Sequence, residues 1–191
     1  METVRGELVR LRRKDLVKIN HSALELLCAE KLIQMGYDVT VEHSLADTLV
    51  CDVYAKRGAA GSMIIEIETG FVPPNYALAP ATYCRARVAS KTARYAPHAD
   101  RFAVGTTPSN ILGIPRIFLK APANRTDEEV ESVKALCDKY YHSPPISSEQ
   151  IRFAVLSSVY VLDIDNVRVE EIDPEKYLRG VSELPYALGT S

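Results

Sequence analysis

The chain has no tryptophan, four scattered cysteines, no long apolar run and no phosphate-loop motif. The missing Trp, beside ten Tyr, excludes no class of function. Cys28, Cys51, Cys84 and Cys137 form no CxxC pair and each sits in an apolar or helical stretch. That spacing argues against a zinc site or a disulfide framework, and buried free thiols are expected. No run is long enough to cross a bilayer, and no signal-peptide pattern opens the sequence, so an intracellular, cytoplasmic protein in a reducing compartment is expected, with no membrane partner. No GKS or GKT follows Gly58 and Gly61, which excludes a phosphate-cradling P-loop. His43, His98 and His142 lack metal-ligand spacing and are expected at the surface. Asp163-Ile164-Asp165-Asn166 lacks the Gly and distal Glu of a calcium loop and reads as a hairpin turn.

What remains is the composition of an ordinary globular protein, 47% hydrophobic and 25% charged over 191 residues. That length suits a single domain with a core of its own. The net charge of −2 names no partner, but its distribution is uneven. Residues 126–191 carry 13 acids and 6 Lys or Arg, leaving 12 acids and 17 Lys or Arg in residues 1–125. A first part at +5 is compatible with a phosphate-bearing partner and equally with an ordinary solvated surface.

Residues 1–17 read as an arm or short strand with a basic end, Arg12-Arg13-Lys14. Leu24, Leu27, Leu32 and Met35 recur at helical spacing and predict a helix from about His21 to Met35, ended by Gly36. Strands are expected over Tyr37–Glu42, Leu49–Ala55 and Ser62–Glu68, the last two joined by a Gly-rich turn. A helix is expected over Ala81–Tyr95, carrying Arg85, Arg87, Lys91 and Arg94, and a fourth strand over Asp100–Thr106. The fold class is therefore α/β, a mixed sheet flanked by helices. Residues 108–191 read as a C-terminal extension: a short strand over Ile114–Leu119, a helix over Asp127–Tyr141 capped by Thr126, a helix over Ser148–Leu156, and a hairpin of Val159–Asp163 with Val167–Glu171.

Three acids stand out against this pattern. Asp52 lies in the second strand, and Glu66 and Glu68 lie in the apolar run Met63-Ile64-Ile65-Glu66-Ile67-Glu68. Asp and Glu are depleted in strands, and side-chain alternation puts Ile64, Glu66 and Glu68 on one face. Buried carboxylates cost desolvation unless compensated, and a divalent cation with oxygen ligands is a natural compensation.

The order helix, three strands, helix, strand, with acids at these places, resembles the PD-(D/E)XK nuclease superfamily. That group includes restriction endonucleases and archaeal Holliday-junction resolvases. The resemblance covers residues 18–107. It implies an αβββαβ restriction endonuclease-like core in which Glu25, Asp52 and Glu66 bind Mg²⁺ or Mn²⁺. The run Glu25-Leu26-Leu27-Cys28-Ala29-Glu30-Lys31-Leu32 before Gly36-Tyr37 looks like the opening helix of resolvase-like members. The usual motif Lys is replaced by Glu68, which the resemblance makes a further metal ligand or a general base. Lys91, one turn after Arg87 on the following helix, is the candidate substitute cation. Arg85, Arg87 and Arg94 are candidate phosphate contacts. His21, one turn before Glu25, either approaches the same site or serves only the helix start.

The implied activity is metal-dependent hydrolysis of DNA phosphodiester bonds by an endonuclease acting in repair, recombination or processing. A homodimer would suit cutting of two strands. Two rivals stay open: a non-catalytic nucleic-acid-binding or assembly module on the same fold, and an unrelated α/β protein in which the acids pair with Arg85 or Arg87.

Overall fold

The computed structural model describes residues 21–46 and 48–182. The expected N-terminal arm lies outside the described residues. Helix α1 spans His21–Gln34, followed by strands β1 (Asp38–Ala46), β2 (Leu49–Lys56) and β3 (Ser62–Glu68). Helix α2 (Pro80–Tyr95) leads to β4 (Arg101–Thr106). Helices α3 (Asp127–Asp138) and α4 (Ser148–Phe153) precede β5 (Ser158–Asp163), β6 (Arg168–Ile172) and α5 (Pro174–Ser182).

The six strands form one mixed sheet in chain order. The pairs β1/β2, β2/β3 and β5/β6 are antiparallel, while β3/β4 and β4/β5 are parallel. Parallel neighbours need a crossover, and the helices α2, then α3 with α4, supply the two. Leu24, Leu27, Cys28 and Leu32 of α1 pack on Val53, Ala55, Met63, Ile65 and Ile67. The opposite face buries Ile64, Phe102, Val104 and Val159 against Val88 and Ala89 of α2, Val130 and Val133 of α3, and Ile151 of α4. The sheet is thus sandwiched, with α1 on one side and α2, α3 and α4 on the other. Ile64 faces α2 while Met63, Ile65 and Ile67 face α1, as strand alternation requires.

Local chemistry sets the helix ends. Gly36 takes φ 84°, and the Tyr37 amide donates to the Leu32 carbonyl while the Gly36 amide donates to Ile33. This closes α1 with a left-handed glycine, a conformation that costs other residues strain. Thr126 with Glu129, and Ser147 with Gln150, form reciprocal capping boxes at the starts of α3 and α4.

The extension departs from expectation in four places, the first being that α3 stops at Asp138, three residues short of Tyr141. Residues 114–119 form no strand; Arg116–Leu119 is a 3-10 turn whose Ile117 and Phe118 fill the core beside α2. Helix α4 stops at Phe153, short of Leu156. The final helix α5 has no counterpart in the sequence reading. Cys28, Cys51 and Cys137 are buried free thiols as expected, but Cys84 is only half-buried. His43 is half-buried rather than at the surface, stacked on Tyr54 with ring centroids 4.4 Å apart.

Candidate active site

The β2/β3 ladder ends at the pair Val53 and Ile65. Where it would continue, side chains take over. The Asp52 amide donates to Glu66 Oε1 at 3.0 Å, and the Ile67 amide donates to Asp52 Oδ2 at 2.6 Å. Two carboxylates therefore satisfy the amides that the lost ladder would have orphaned. Next door on β1, Glu42 adopts φ 50°, unusual for a residue with a side chain. It stands between the pairs Val41/Val53 and His43/Cys51. Both strands change face here: Val53 packs toward α1, and Cys51 toward α2.

Lys91 rises from α2 into this opening. Its Nζ lies 2.9 Å from Glu68 Oε1, 3.1 Å from Glu66 Oε2 and 3.5 Å from Asp52 Oδ2, and it donates to the Ile67 carbonyl at 3.1 Å. Burial opposes its charge, but Glu66 and Glu68 outweigh that and raise its pKa. Burial of Glu66, only partly countered by Lys91, lifts its pKa to about 7. Arg87 Nε contacts Glu68 Oε2 at 2.9 Å, and its Nη1 donates to the Phe71 carbonyl at 3.0 Å.

From the other layer, His21 Nδ1 lies 2.6 Å from Glu25 Oε1. Its Nε2 lies 3.3 Å from the Ile67 carbonyl and 3.5 Å from Asp52 Oδ2. Both ring nitrogens face acceptors, which suits the imidazolium with two donors. The bond to Glu25 raises the His21 pKa, against the opposing effect of burial. Donor atoms of His21, Glu25 and Asp52 all lie within 4.8 Å of one another, close enough to share one metal ion.

The four expected metal ligands thus divide. Glu25 and Asp52 converge with His21, whereas Glu66 and Glu68 turn to Lys91. Asp52 belongs to both groups, since Oδ2 approaches His21 and Lys91 alike. Arg87 is an ion-pair partner of Glu68 rather than a free cation. Arg94 turns away: its Nη2 donates to the Pro144 carbonyl at 2.6 Å and its guanidinium lies over the Tyr141 ring. Arg85 is exposed and lines a groove between α2 and α3 with Thr82, Ser132 and Lys139. Of the expected alternatives Arg85 and Arg87, only Arg87 pairs with one of the acids, Glu68, among the described ion pairs, and Asp52 and Glu66 are hydrogen-bonded neighbours rather than separated acids.

His21 as a partner of Glu25 was readable from its i, i+4 spacing. Glu42 was not: its pKa is raised by burial and by Glu25 and Asp52, yet an acid on an exposed edge strand gives no signal in sequence.

Charge decides what the cluster can take. Four carboxylates (Glu25, Asp52, Glu66, Glu68) face two permanent cations, Lys91 and Arg87. Protonated His21 makes a third. If His21 gives up a proton to become a metal donor while Glu66 is ionised, two negative charges are left uncompensated, which one divalent cation balances. Two carboxylates and an imidazole fit Mg²⁺ less closely than Mn²⁺ or a later transition metal, because imidazole is the softer ligand.

No family model matches this chain, and neither a curated protein nor a solved structure matches it.

Proposed function

We propose that this chain is a metal-dependent nuclease that hydrolyses DNA phosphodiester bonds, with an endonucleolytic mode and a restriction endonuclease-like core. The observation that carries the reading is the place of Lys91. A cation from α2 meets the strand acids Asp52, Glu66 and Glu68 within 3.5 Å, where the motif lysine is missing from β3.

Asp52, Glu25 and His21 would hold the metal, which when bound supplies Lewis-acid polarisation of the phosphate and of a water. Lys91 offers its ammonium to the negative charge that develops on the phosphoryl oxygens. Glu66 titrates near neutrality and sits beside Asp52, so it can accept a proton from an attacking water. Glu68, clamped between Arg87 and Lys91, holds the ammonium in place.

A second reading has its own observation. Each of the four carboxylates already has a cationic partner in the protein, so the cluster could be a structural knot in a non-catalytic binding or assembly module. Cleavage of labelled single-stranded, duplex and four-way-junction DNA in Mg²⁺, Mn²⁺ or EDTA separates the two. Metal-dependent cutting that is lost in Asp52→Asn and Lys91→Met supports the nuclease. Intact DNA with folded parent protein in every metal supports the module.

A further inference from the structure

The loop between β3 and α2 starts directly after Glu68 and carries no charged side chain from Phe71, three residues on, to Pro80. It is nonetheless firmly held. Arg87, paired with Glu68, also binds the Phe71 carbonyl. Asn110 Nδ2 donates to the Glu68 carbonyl at 3.1 Å. Gly70 takes φ 76°, and a Cβ there would stand 2.4 Å from Asn110 Oδ1. Further along, Tyr76 stacks on Tyr83 of α2 with centroids 4.6 Å apart and meets Tyr140 edge-on.

On this anchored loop the Phe71 ring is not buried: the residue is 64% exposed. An aromatic side chain left in water normally costs hydrophobic free energy, and here its main chain is joined through one guanidinium to the carboxylate cluster. A neutral loop brings no positive charge to a phosphate backbone. In a duplex the base faces are already stacked and reaching one costs unstacking, so such a ring finds its cheapest partner in a base outside the stack.

We propose that Phe71 is a stacking platform for an unpaired nucleobase next to the phosphodiester engaged by the cluster. The substrate class is then single-stranded DNA, or duplex DNA with an unpaired base, rather than uninterrupted duplex. This rests on the nuclease reading above for the identity of the ligand as nucleic acid.

The test is binding of the full chain, in Ca²⁺, to fluorescent single-stranded, perfectly paired and single-base-bulged DNA, with 2-aminopurine as the unpaired base in a parallel set. The parent should prefer the single-stranded and bulged forms and change the 2-aminopurine emission. Phe71→Ala should weaken binding to those two forms by roughly 5- to 100-fold and leave paired duplex unchanged. Phe71→Tyr should keep the preference because the π-face remains, and Phe71→Leu should lose it. Ile33→Ser, an exposed apolar site on α1, should behave as the parent. Equal binding of all three DNA forms by parent and Phe71→Ala overturns the proposal.

Cleavage in Mn²⁺, read separately, keeps the two claims apart. If the parent cuts DNA and Phe71→Ala has the parent's substrate preference, the nuclease stands and the platform falls. If nothing is cut but Phe71→Ala loses the binding preference, the platform stands without catalysis. A parent that binds none of the three DNAs overturns both.

Discussion

Glu66 and Lys91 show how one residue's environment becomes a measurable property. Glu66 is buried, and its pKa in the folded state, about 7, lies above the ordinary carboxylate value. A raised acid stabilises the fold fully below its unfolded pKa, and that contribution is lost as pH rises through the folded value. The metal-free protein should therefore lose roughly 1–3 kcal/mol of stability between about pH 5 and pH 8. Glu66→Gln should flatten that slope, as urea midpoints at several pH values would show. An unchanged slope would mean that Glu66 ionises freely beside Lys91. Lys91→Met acts in the other direction. It strips the ammonium from three carboxylates at once, and removing one partner of a buried charge set costs about 3–5 kcal/mol. Lys91→Met should be less destabilised at about pH 5 than at pH 8, since a protonated Glu66 tolerates the loss. Asp52, Glu66 and Lys91 were all legible in the sequence, because acids in a strand and a cation on the following helix are anomalies of residue type. The parting of Glu25 from Glu66 was not, because it depends on which way β1 and β2 turn at Glu42 and Asp52.

At the scale of elements, periodicity and capping served where a segment has one face to bury. The first helix and the strand over Ser62–Glu68 lie where alternation and helical spacing put them. The Thr126 cap was readable from three acids following a threonine. Thr126→Ala should cost about 1 kcal/mol in denaturant melts. Since α3 carries no side chain of the carboxylate cluster, it should leave any DNA cleavage rate unchanged; a rate that falls with stability intact would tie α3 to the site. Ile114–Leu119 misled because its apolar residues enter the core from a 3-10 turn, which short apolar runs do not distinguish from a strand. Helix α5 was missed although its start is written locally: Asp173 Oδ1 accepts from the Lys176 amide and Pro174 takes the first helical position. Tyr177, Leu178 and Val181 follow Pro174 at helical spacing, and Tyr177 and Leu178 pack against the core, so an apolar stripe was also there to read.

For the whole molecule, the sheet keeps two separate cores, and the carboxylate cluster lies where β2 and β3 part and both layers reach in. Histidine and glutamate come from α1 on one side, lysine and arginine from α2 on the other, and Asp52 touches both sets. A ligand that bridges Asp52 to Glu25 and His21 would tie α1 to the sheet in the folded state alone. Mass action then requires stabilisation: about 2.7 kcal/mol at a hundredfold excess over Kd, or a rise in Tm of roughly 5–10 °C for a domain of this size. Mn²⁺ should produce that rise and EDTA reverse it. The rise should be larger at about pH 8 than at pH 6, because the bond to Glu25 holds a proton on His21 that metal must displace. His21→Ala and Glu25→Gln should abolish the shift, whereas Glu68→Gln should retain it, since Glu68 is engaged by Arg87 and Lys91 on the opposite side. A shift that survives in His21→Ala and vanishes in Glu68→Gln would move the metal to the α2 side of the sheet, with Lys91 displaced from its carboxylates when the ion binds.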